Sequence, residues 1–186
     1  MQNEIIISGF GGQGVILAGA LIAQGALEQG LYTTCFPAYG AEMRGGAANT
    51  TVIVSKEEIG SPVSAHPNIL ISLNEPSFEK FMPKIADDAI VIANSSMIPK
   101  DGKHKVKPYF IPLTDIADKE IKNIKTANFI AVGALIKILK NITLENIFKA
   151  CEKAFQKKPN LIDANKKALQ TGYDLISKIV LGGDDA

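Results

Sequence analysis

Hydrophobic positions in this chain follow two different periods. Short apolar runs rich in β-branched residues predict strands, whereas apolar residues three and four positions apart predict helices. By this criterion strands are predicted at 5–7, 31–36, 49–55, 69–73, 89–93 and 109–113. Helices are predicted over 15–27, 78–85, 115–122, 127–140, 143–156 and 161–180. Strands that alternate with helices predict an α/β fold, a three-layer α/β/α sandwich with a mostly parallel sheet.

Side chains near the predicted helix ends support these boundaries. Asn74 or Ser77 is suited to cap the helix after the fourth strand, and Thr143 is suited to cap the next-to-last helix. The segment Asn128–Leu135 is apolar almost all round, so we expect it to be buried between layers or under a partner. No linker or repeat interrupts the chain, which predicts one domain over residues 1–186.

The first strand runs directly into a glycine-rich turn. The apolar run at 5–7 is followed by glycines and one glutamine, and then by the first helix: Gly9, Gly11, Gly12, Gln13 and Gly14. Three of the glycines have G-x-G-x-x-G spacing, which predicts a Rossmann-like strand, turn and helix. Missing Cβ atoms allow close approach to the backbone, and free N–H groups at a helix start attract an anion such as phosphate. A turn that only packs the helix on the sheet is the alternative.

One feature argues against a dinucleotide in this turn. A Rossmann site has an acidic residue at the end of the second strand, where it binds the ribose hydroxyls. The second predicted strand instead leads into Pro37, Ala38 and Tyr39, and the nearest upstream acid, Glu28, belongs to the end of the first helix. The sequence therefore disfavours NAD or FAD.

A second loop, rich in glycine and containing two charged residues, follows the second strand. We expect it to begin at Pro37 and to face the glycine turn across one crevice, because the carboxyl ends of parallel strands share one edge of a sheet. Its candidate ligand contacts are Tyr39, Glu42, Arg44, Gly45, Gly46 and Asn49. The guanidinium of Arg44 suits phosphate or carboxylate. Pairing of Glu42 with Arg44 on the surface is an equally good explanation of those two charges.

Composition narrows the function further. The 186 residues carry a net charge of +1, which does not indicate a nucleic acid or an anionic membrane. The uncharged run from Ile5 to Leu27 contains glycines and glutamines and changes period, so it is not expected to span a membrane. Glu4 and the lack of nearby Lys or Arg argue against a signal peptide, and we expect a cytoplasmic protein.

Residues suited to catalysis or metal binding are sparse. Cys35 and Cys151 are far apart and form no C-x-x-C, so we expect no metal site and predict that both are small buried residues. Neither His66 nor His104 has a ligand partner nearby in sequence. No nucleophile lies next to a base in the two loops, and no pair of catalytic carboxylates is evident. The pattern is typical of a binding and docking component.

The two loops together resemble those of a known family. The residues Gly9–Val15, in the order G-F-G-G-Q-G-V, and Tyr39–Asn49, in the order Y-G-A-E-M-R-G-G-A-A-N, are similar to the γ subunit or γ domain of 2-oxoacid:ferredoxin/acceptor oxidoreductases. The apolar segment Asn128–Leu135 also resembles a buried helix of that family, and the likeness extends from Glu4 to about Ser177. The resemblance implies a fold like domain III of pyruvate-ferredoxin oxidoreductase.

The resemblance also implies a function. Such complexes convert a 2-oxoacid and coenzyme A to acyl-CoA and CO2 and pass electrons to ferredoxin, flavodoxin or a quinone-linked acceptor. Thiamine diphosphate, Mg and iron–sulfur clusters would lie in partner α, β and ferredoxin-like δ subunits. This chain would dock on them, inactive alone, with Gly11–Gly14 as a cradle that coenzyme A could use and Tyr39, Glu42 and Arg44 in the facing loop. The second loop resembles the 2-oxoglutarate type most.

Three alternatives stay open from the sequence. The complex could act on pyruvate, a branched-chain 2-oxoacid or indolepyruvate, because these relatives share much of the pattern. The two loops could be only a subunit interface. A free-standing nucleotide-binding protein could use the same glycine turn.

Overall fold

The structure is a computed structural model that describes residues 2–39, 47–100, 102 and 104–181. Its strands are β1 (Asn3–Phe10), β2 (Tyr32–Tyr39), β3 (Ala47–Ser55), β4 (Ile69–Ser72), β5 (Ile90–Asn94) and β6 (Tyr109–Ile111). Its helices are α1 (Val15–Glu28), α2 (Glu75–Phe81), α3 (Leu113–Lys119), α4 (Ala127–Leu139), α5 (Leu144–Ala154) and α6 (Ile162–Leu181). Short 3-10 turns precede or follow three of the helices: Met82–Lys84, Ile124–Thr126 and Pro159–Leu161.

The strands form one six-stranded sheet in the order β2-β3-β1-β4-β5-β6. Neighbouring strands from β1 through β4 and β5 to β6 are parallel, whereas β3 is antiparallel to both β1 and β2. The predicted α/β fold with a mostly parallel sheet is confirmed. The single reversed strand follows from chain geometry, because a short connection can join β2 to β3 only as antiparallel neighbours.

Helices cover both faces of the sheet, as predicted, but unequally. On one face α1, α3, α4, α5 and α6 pack over Ile5 and Ile7 in the larger core cluster. On the other face α2 and the following 3-10 turn cover Ile6 and Leu70. The apolar residues of the helix predicted over 78–85 are buried there: Phe78, Phe81, Met82 and Ile85. Successive residues of β1 thus face opposite layers, as strand geometry requires.

The helix α4 is buried on all sides, as its sequence predicts. Every residue from Asn128 to Ile136 is buried. Close contact with α6 makes this possible: a Cβ built on Gly133 would overlap the backbone carbonyl of Leu169, and one on Gly172 would overlap that of Ile130. The two helices therefore approach each other at backbone distance.

Two predicted helix caps are confirmed. The side chain of Asn74 accepts a hydrogen bond from the backbone N–H of Ser77 at 3.0 Å. The hydroxyl of Thr143 accepts one from the N–H of Asn146 at 3.2 Å. Within the described residues, no helix combines the length and the apolar character needed to cross a membrane.

The structure corrects two details near the edge of the sheet. Pro37, Ala38 and Tyr39 continue β2 rather than beginning a loop, and a proline is tolerated there because β2 is an edge strand. Cys35 lies on this strand and is exposed, so the prediction of a buried cysteine is wrong for Cys35 and right for Cys151.

Candidate functional site

The glycine turn joins β1 to α1 at the carboxyl edge of the sheet. Gly12 and Gly14 have φ values of 101° and 73°, which an L side chain adopts only with strain. Gly14 is the N-cap residue of α1, so the cap position has no side chain to bond the free N–H groups of this helix. The first turn of α1 also contains no acidic residue. The positive end of the helix dipole is therefore not compensated by its own sequence and favours an anion.

The side chain of Gln13 holds the turn closed. Its Oε1 accepts hydrogen bonds from the backbone N–H of Phe10 at 2.7 Å and from Nδ2 of Asn74 at 2.9 Å. Its Nε2 donates to the backbone oxygen of Leu73 at 3.4 Å. The glutamine amide therefore binds the protein and orients the backbone on either side of it.

The hydrogen bonds of Gln13 join the end of β1 to the residues that follow β4. Between these two strands the helices change from one face of the sheet to the other. The helix that follows β1 packs on one face of the sheet, and the helix that follows the adjacent parallel strand β4 packs on the other. Ligands of open α/β sheets bind in the crevice outside the carboxyl ends of two such strands. Polar side chains are buried at this edge as well, and the hydroxyls of Ser8 and Ser72 are 3.2 Å apart.

A residue that sequence reasoning missed also contacts the turn. Asn128, near the start of α4, donates from Nδ2 to the backbone oxygen of Gly14 at 3.0 Å, across 114 positions of sequence. The same oxygen accepts the first helical hydrogen bond of α1, from the N–H of Ala18 at 2.9 Å. The only signal available beforehand was a polar residue at the start of an otherwise apolar helix.

The ends of the second loop lie at the same edge as the glycine turn. Ala48 pairs with Gly9 on one side and with Tyr39 on the other, so these three residues form one row across the sheet. Asn49 is the partner of Ser8 in the next row. The predicted contacts Glu42, Arg44, Gly45 and Gly46 lie outside the described residues. The structure therefore brings Tyr39 and Asn49 to the predicted edge.

The sheet order also bears on the dinucleotide alternative. In a Rossmann unit the second strand lies beside the first and ends at the carboxyl edge, next to the glycine turn. Here the neighbour of β1 on that side is β3, which is antiparallel and begins at this edge. On that side of β1 a strand begins where the strand of a Rossmann unit would end with its ribose-binding acid.

Cavities and reactive side chains lie elsewhere or are few. Two surface cavities, of about 290 and 250 Å³, lie along α4 with α5 and along α1 with α5, away from the turn. Burial raises the pKa of the Cys151 thiol to about 11, which makes it a poor nucleophile. Among the described residues, no three His, Cys, Asp or Glu side chains are grouped so that they could hold a metal ion.

Comparison with protein families connects this geometry to a known one. Residues 4–175 match the model of the pyruvate ferredoxin/flavodoxin oxidoreductase family. The chain belongs to this family. The match includes the glycine turn, the second loop and the helix Asn128–Leu135, on which the resemblance rested.

Curated relatives within the family differ in substrate and in length. Ketoisovalerate oxidoreductase subunit VorA of Methanothermobacter thermautotrophicus is 35% identical over 93% of this chain, which spans only 36% of that relative. 2-Oxoglutarate synthase subunit KorC of Methanocaldococcus jannaschii is 32% identical, and the alignment covers 96% of both chains. Pyruvate synthase subunit PorC of Thermotoga maritima is 33% identical, over 92% of this chain and 93% of the relative.

Solved structures agree with the fold. The gamma subunit of a keto/oxoacid ferredoxin oxidoreductase from Geobacter sulfurreducens superposes with a TM-score of 0.80 at 25% identity, covering 94% of this chain and 98% of that one. The 2-oxoglutarate:ferredoxin oxidoreductase of Magnetococcus marinus, solved with 2-oxoglutarate, coenzyme A and succinyl-CoA bound, gives a TM-score of 0.84 at 26% identity. The match covers 95% of this chain and 31% of that chain, so the same fold also occurs as one part of a longer polypeptide.

Proposed function

We propose that this chain is the gamma subunit of a thiamine diphosphate-dependent 2-oxoglutarate:ferredoxin oxidoreductase, which forms succinyl-CoA and CO2 from 2-oxoglutarate and coenzyme A. The observation that carries the proposal is the nearly end-to-end match to KorC of Methanocaldococcus jannaschii, at 96% of both chains. That relative is named as a subunit of 2-oxoglutarate synthase, which supports a subunit role for this chain. The similarity of the second loop to the 2-oxoglutarate type favours that substrate over pyruvate or ketoisovalerate.

The role proposed for this chain within the complex is to dock on partner subunits and to contribute to coenzyme A binding. The residues around the turn fit such a ligand, because the cap residue of α1 has no side chain and its first turn contains no acid. Among the described residues, no atom lies within 4 Å of the space beside Gly12 where a Cβ would be. The N–H groups at the start of α1 would hold a phosphate of coenzyme A. The proposed contacts are the turn itself and the facing loop: Gly9, Gly11, Gly12, Gln13, Gly14, Tyr39, Glu42, Arg44, Gly45, Gly46 and Asn49.

The chemical step is assigned to partner subunits. Thiamine diphosphate supplies the carbanion-stabilising chemistry that decarboxylation of a 2-oxoacid needs. The described part of this chain offers no grouped metal ligands, and its buried Cys151 is held as a thiol. We therefore place thiamine diphosphate, Mg and the iron–sulfur clusters in the α, β and δ chains, with ferredoxin, flavodoxin or a quinone-linked protein as the electron acceptor.

Purification of the complex from its own cells tests this proposal. The chain is given a mild affinity tag, the accompanying proteins are identified, and the eluate is assayed for coenzyme A-dependent reduction of a viologen dye. We expect a thiamine diphosphate-binding pair and a ferredoxin-like chain to accompany it, with dye reduction on 2-oxoglutarate and much less on pyruvate or ketoisovalerate. Preference for another 2-oxoacid would correct the substrate alone. An untagged parent strain serves as the control.

Two other outcomes would overturn the subunit role. A tagged chain that elutes alone with bound nucleotide would identify a free-standing nucleotide-binding protein. A purified chain that oxidises 2-oxoglutarate without partners would show that it carries its own catalytic residues. The variant Arg44→Ala, with Arg44→Lys as its matched control, then separates the roles of the second loop. Loss of coenzyme A dependence with assembly intact would indicate a ligand site, and loss of assembly would indicate an interface.

A further inference from the structure

We propose that the edge strand β2 is a self-association surface, through which two copies of this chain pair antiparallel about a two-fold axis. The two six-stranded sheets then join into one continuous sheet, with the two Cys35 residues opposite each other. The inference goes beyond the proposed function, because it adds that two gamma chains contact each other. It does not depend on which 2-oxoacid the complex uses.

The first observation is that β2 is a long edge strand with little protection. The two edges of the sheet are β2 and β6, and β6 has only three residues. All eight residues of β2 pair with β3 in one continuous register, so no bulge turns this edge away. Natural edge strands are usually short, bulged or charged, because free N–H and C=O groups otherwise pair with another chain. The one protective residue in β2 is Pro37, which lies off centre.

The second observation is that β2 is uncharged and exposes large side chains. The sequence contains no charged residue from 29 to 41. The rings of Tyr32, Phe36 and Tyr39 lie on this strand and are 49%, 51% and 72% exposed. Like charges opposite each other destabilise a strand pair, and two copies of β2 meet without any. The charge pattern therefore favours pairing of this strand with itself.

The third observation is that the side chains of β2 complement those of the same strand related by a two-fold axis. Such an axis, perpendicular to the sheet, keeps each side chain on its own face. In an antiparallel pair centred on Cys35, Phe36 lies opposite Thr34 of the second copy, and Tyr32 lies opposite Ala38. Each ring thus lies beside a smaller side chain, and the two Phe36 rings are diagonal neighbours within reach of each other. A pair centred on Phe36 would leave Tyr32 without a partner inside β2.

The exposed rings also supply much of the area that a stable dimer needs. An aromatic side chain covers roughly 200 Å². At their exposed fractions, Tyr32, Phe36 and Tyr39 of both copies together offer about 700 Å². Specific interfaces bury about 1,200 Å² or more in total. The paired backbones and the contact of Tyr39 with Leu31, its opposite residue in this register, add to the area of the rings.

The mass of the chain in solution and a charge substitution test the proposal. The full chain is studied by sedimentation equilibrium, and we expect a dimer. Phe36→Lys should raise the dissociation constant of the dimer at least about tenfold, because each dimer carries the change twice and two ammonium groups become neighbours. Ile124→Lys is the matched control, because Ile124 is 57% exposed but lies in the 3-10 turn before α4. Thermal melting checks that both variants are folded. Equal dissociation constants for the two variants would overturn the proposal.

Cross-linking of Cys35 tests the register. Directly opposite residues of antiparallel strands have Cα atoms about 4.5–5.5 Å apart, which a disulfide can span. Diamide oxidises the two thiols to one disulfide and takes up both hydrogens. We expect a covalent dimer through Cys35, because this cysteine is exposed and Cys151 is buried.

A cysteine moved along the same strand is the control for random collisions. In the double variant Cys35→Ser with Thr33→Cys, the two residues at position 33 would lie four positions apart in this register, which is about 13 Å. We therefore expect little covalent dimer from it. Cross-linking at the same rate as in the wild type would overturn pairing about Cys35.

The remaining outcomes separate this inference from the proposed function. A monomeric wild-type chain whose Phe36→Lys variant no longer co-purifies with partner chains would assign β2 to another subunit and overturn self-association. A monomeric chain whose variant still co-purifies normally would overturn any docking role of β2. In both cases the subunit role is decided separately, by co-purification of the wild-type chain.

Discussion

Glycines in the α4–α6 contact and glycines in the turn after β1 serve opposite purposes. In the helix contact, Gly133 and Gly172 have ordinary helical backbones, and the space for a side chain is filled by the neighbouring helix. In the turn, Gly12 has a backbone that disfavours a side chain, and a Cβ there would meet no atom of the described residues within 4 Å. The comparison teaches that the same residue type marks close packing in one region and open, accessible backbone in the other.

Gly14 combines both properties. Its φ of 73° is left-handed, and a Cβ there would lie 3.1 Å from Cγ of Asn128 and overlap Nδ2. The neighbour in this case is the end of a side chain rather than a backbone carbonyl. The variant Gly133→Ala therefore measures the effect of packing, and Gly12→Ala measures the effect of backbone strain. The variant Gly14→Ala measures the two effects together.

The largest effect is expected for Gly133→Ala. The new Cβ would lie 2.8 Å from the carbonyl carbon of Leu169, so α4 and α6 must move apart and expose packed surface. We expect the free energy of unfolding to fall by about 3 kcal/mol or more, as in severe overpacking. Urea denaturation measures it. Gly25→Ala in α1 is the control, because its Cβ would overlap the end of the Ile147 side chain rather than a backbone carbonyl, and it should cost clearly less. Equal losses in both would refute the packing explanation.

An intermediate effect is expected for Gly14→Ala. The substitution imposes backbone strain and displaces the amide of Asn128 from the oxygen of Gly14, and together these should cost about 2 kcal/mol. The double variant Gly14→Ala with Asn128→Ser is the sharper measurement. If the two residues act through their contact, the double variant should lose less stability than the sum of the single variants. Additive losses would show that the contact carries little energy.

The smallest effect on stability is expected for Gly12→Ala. Among the described residues no atom lies within 4 Å of the new methyl group, so only the strain at φ 101° remains, at about 1 kcal/mol. Ligand binding should respond differently, because the methyl group occupies space next to the proposed phosphate position. We expect coenzyme A affinity to fall while the chain stays folded, measured by calorimetry beside thermal melting. An unchanged affinity would place the ligand away from Gly12.

Much of the fold follows from local sequence. The caps at Asn74 and Thr143 were predicted because capping depends on residues only a few positions apart. The burial of Asn128–Leu135 was predicted because an apolar surface on all sides of a helix can be satisfied only inside the protein. The family resemblance, which was confirmed, also rested on short motifs of neighbouring residues.

Other features depend on contacts between distant segments and could not be predicted. The exposure of Cys35 depends on β2 being an edge strand, and the sequence of an apolar strand does not state its place in a sheet. The inward bonds of Gln13 require the ends of two parallel strands to lie side by side. These features belong to the order of the strands rather than to any one segment.

The sequence by itself determined the succession of strands and helices, the glycine turn and the buried helix, because hydrophobic period, caps and turn residues act over a few positions. Only the tertiary structure decided that β3 lies between β1 and β2, and that the starts of α1 and α4 meet through Asn128 and Gly14. Such pairings join residues far apart in the chain, and they are selected by the packing of whole layers rather than by any local pattern.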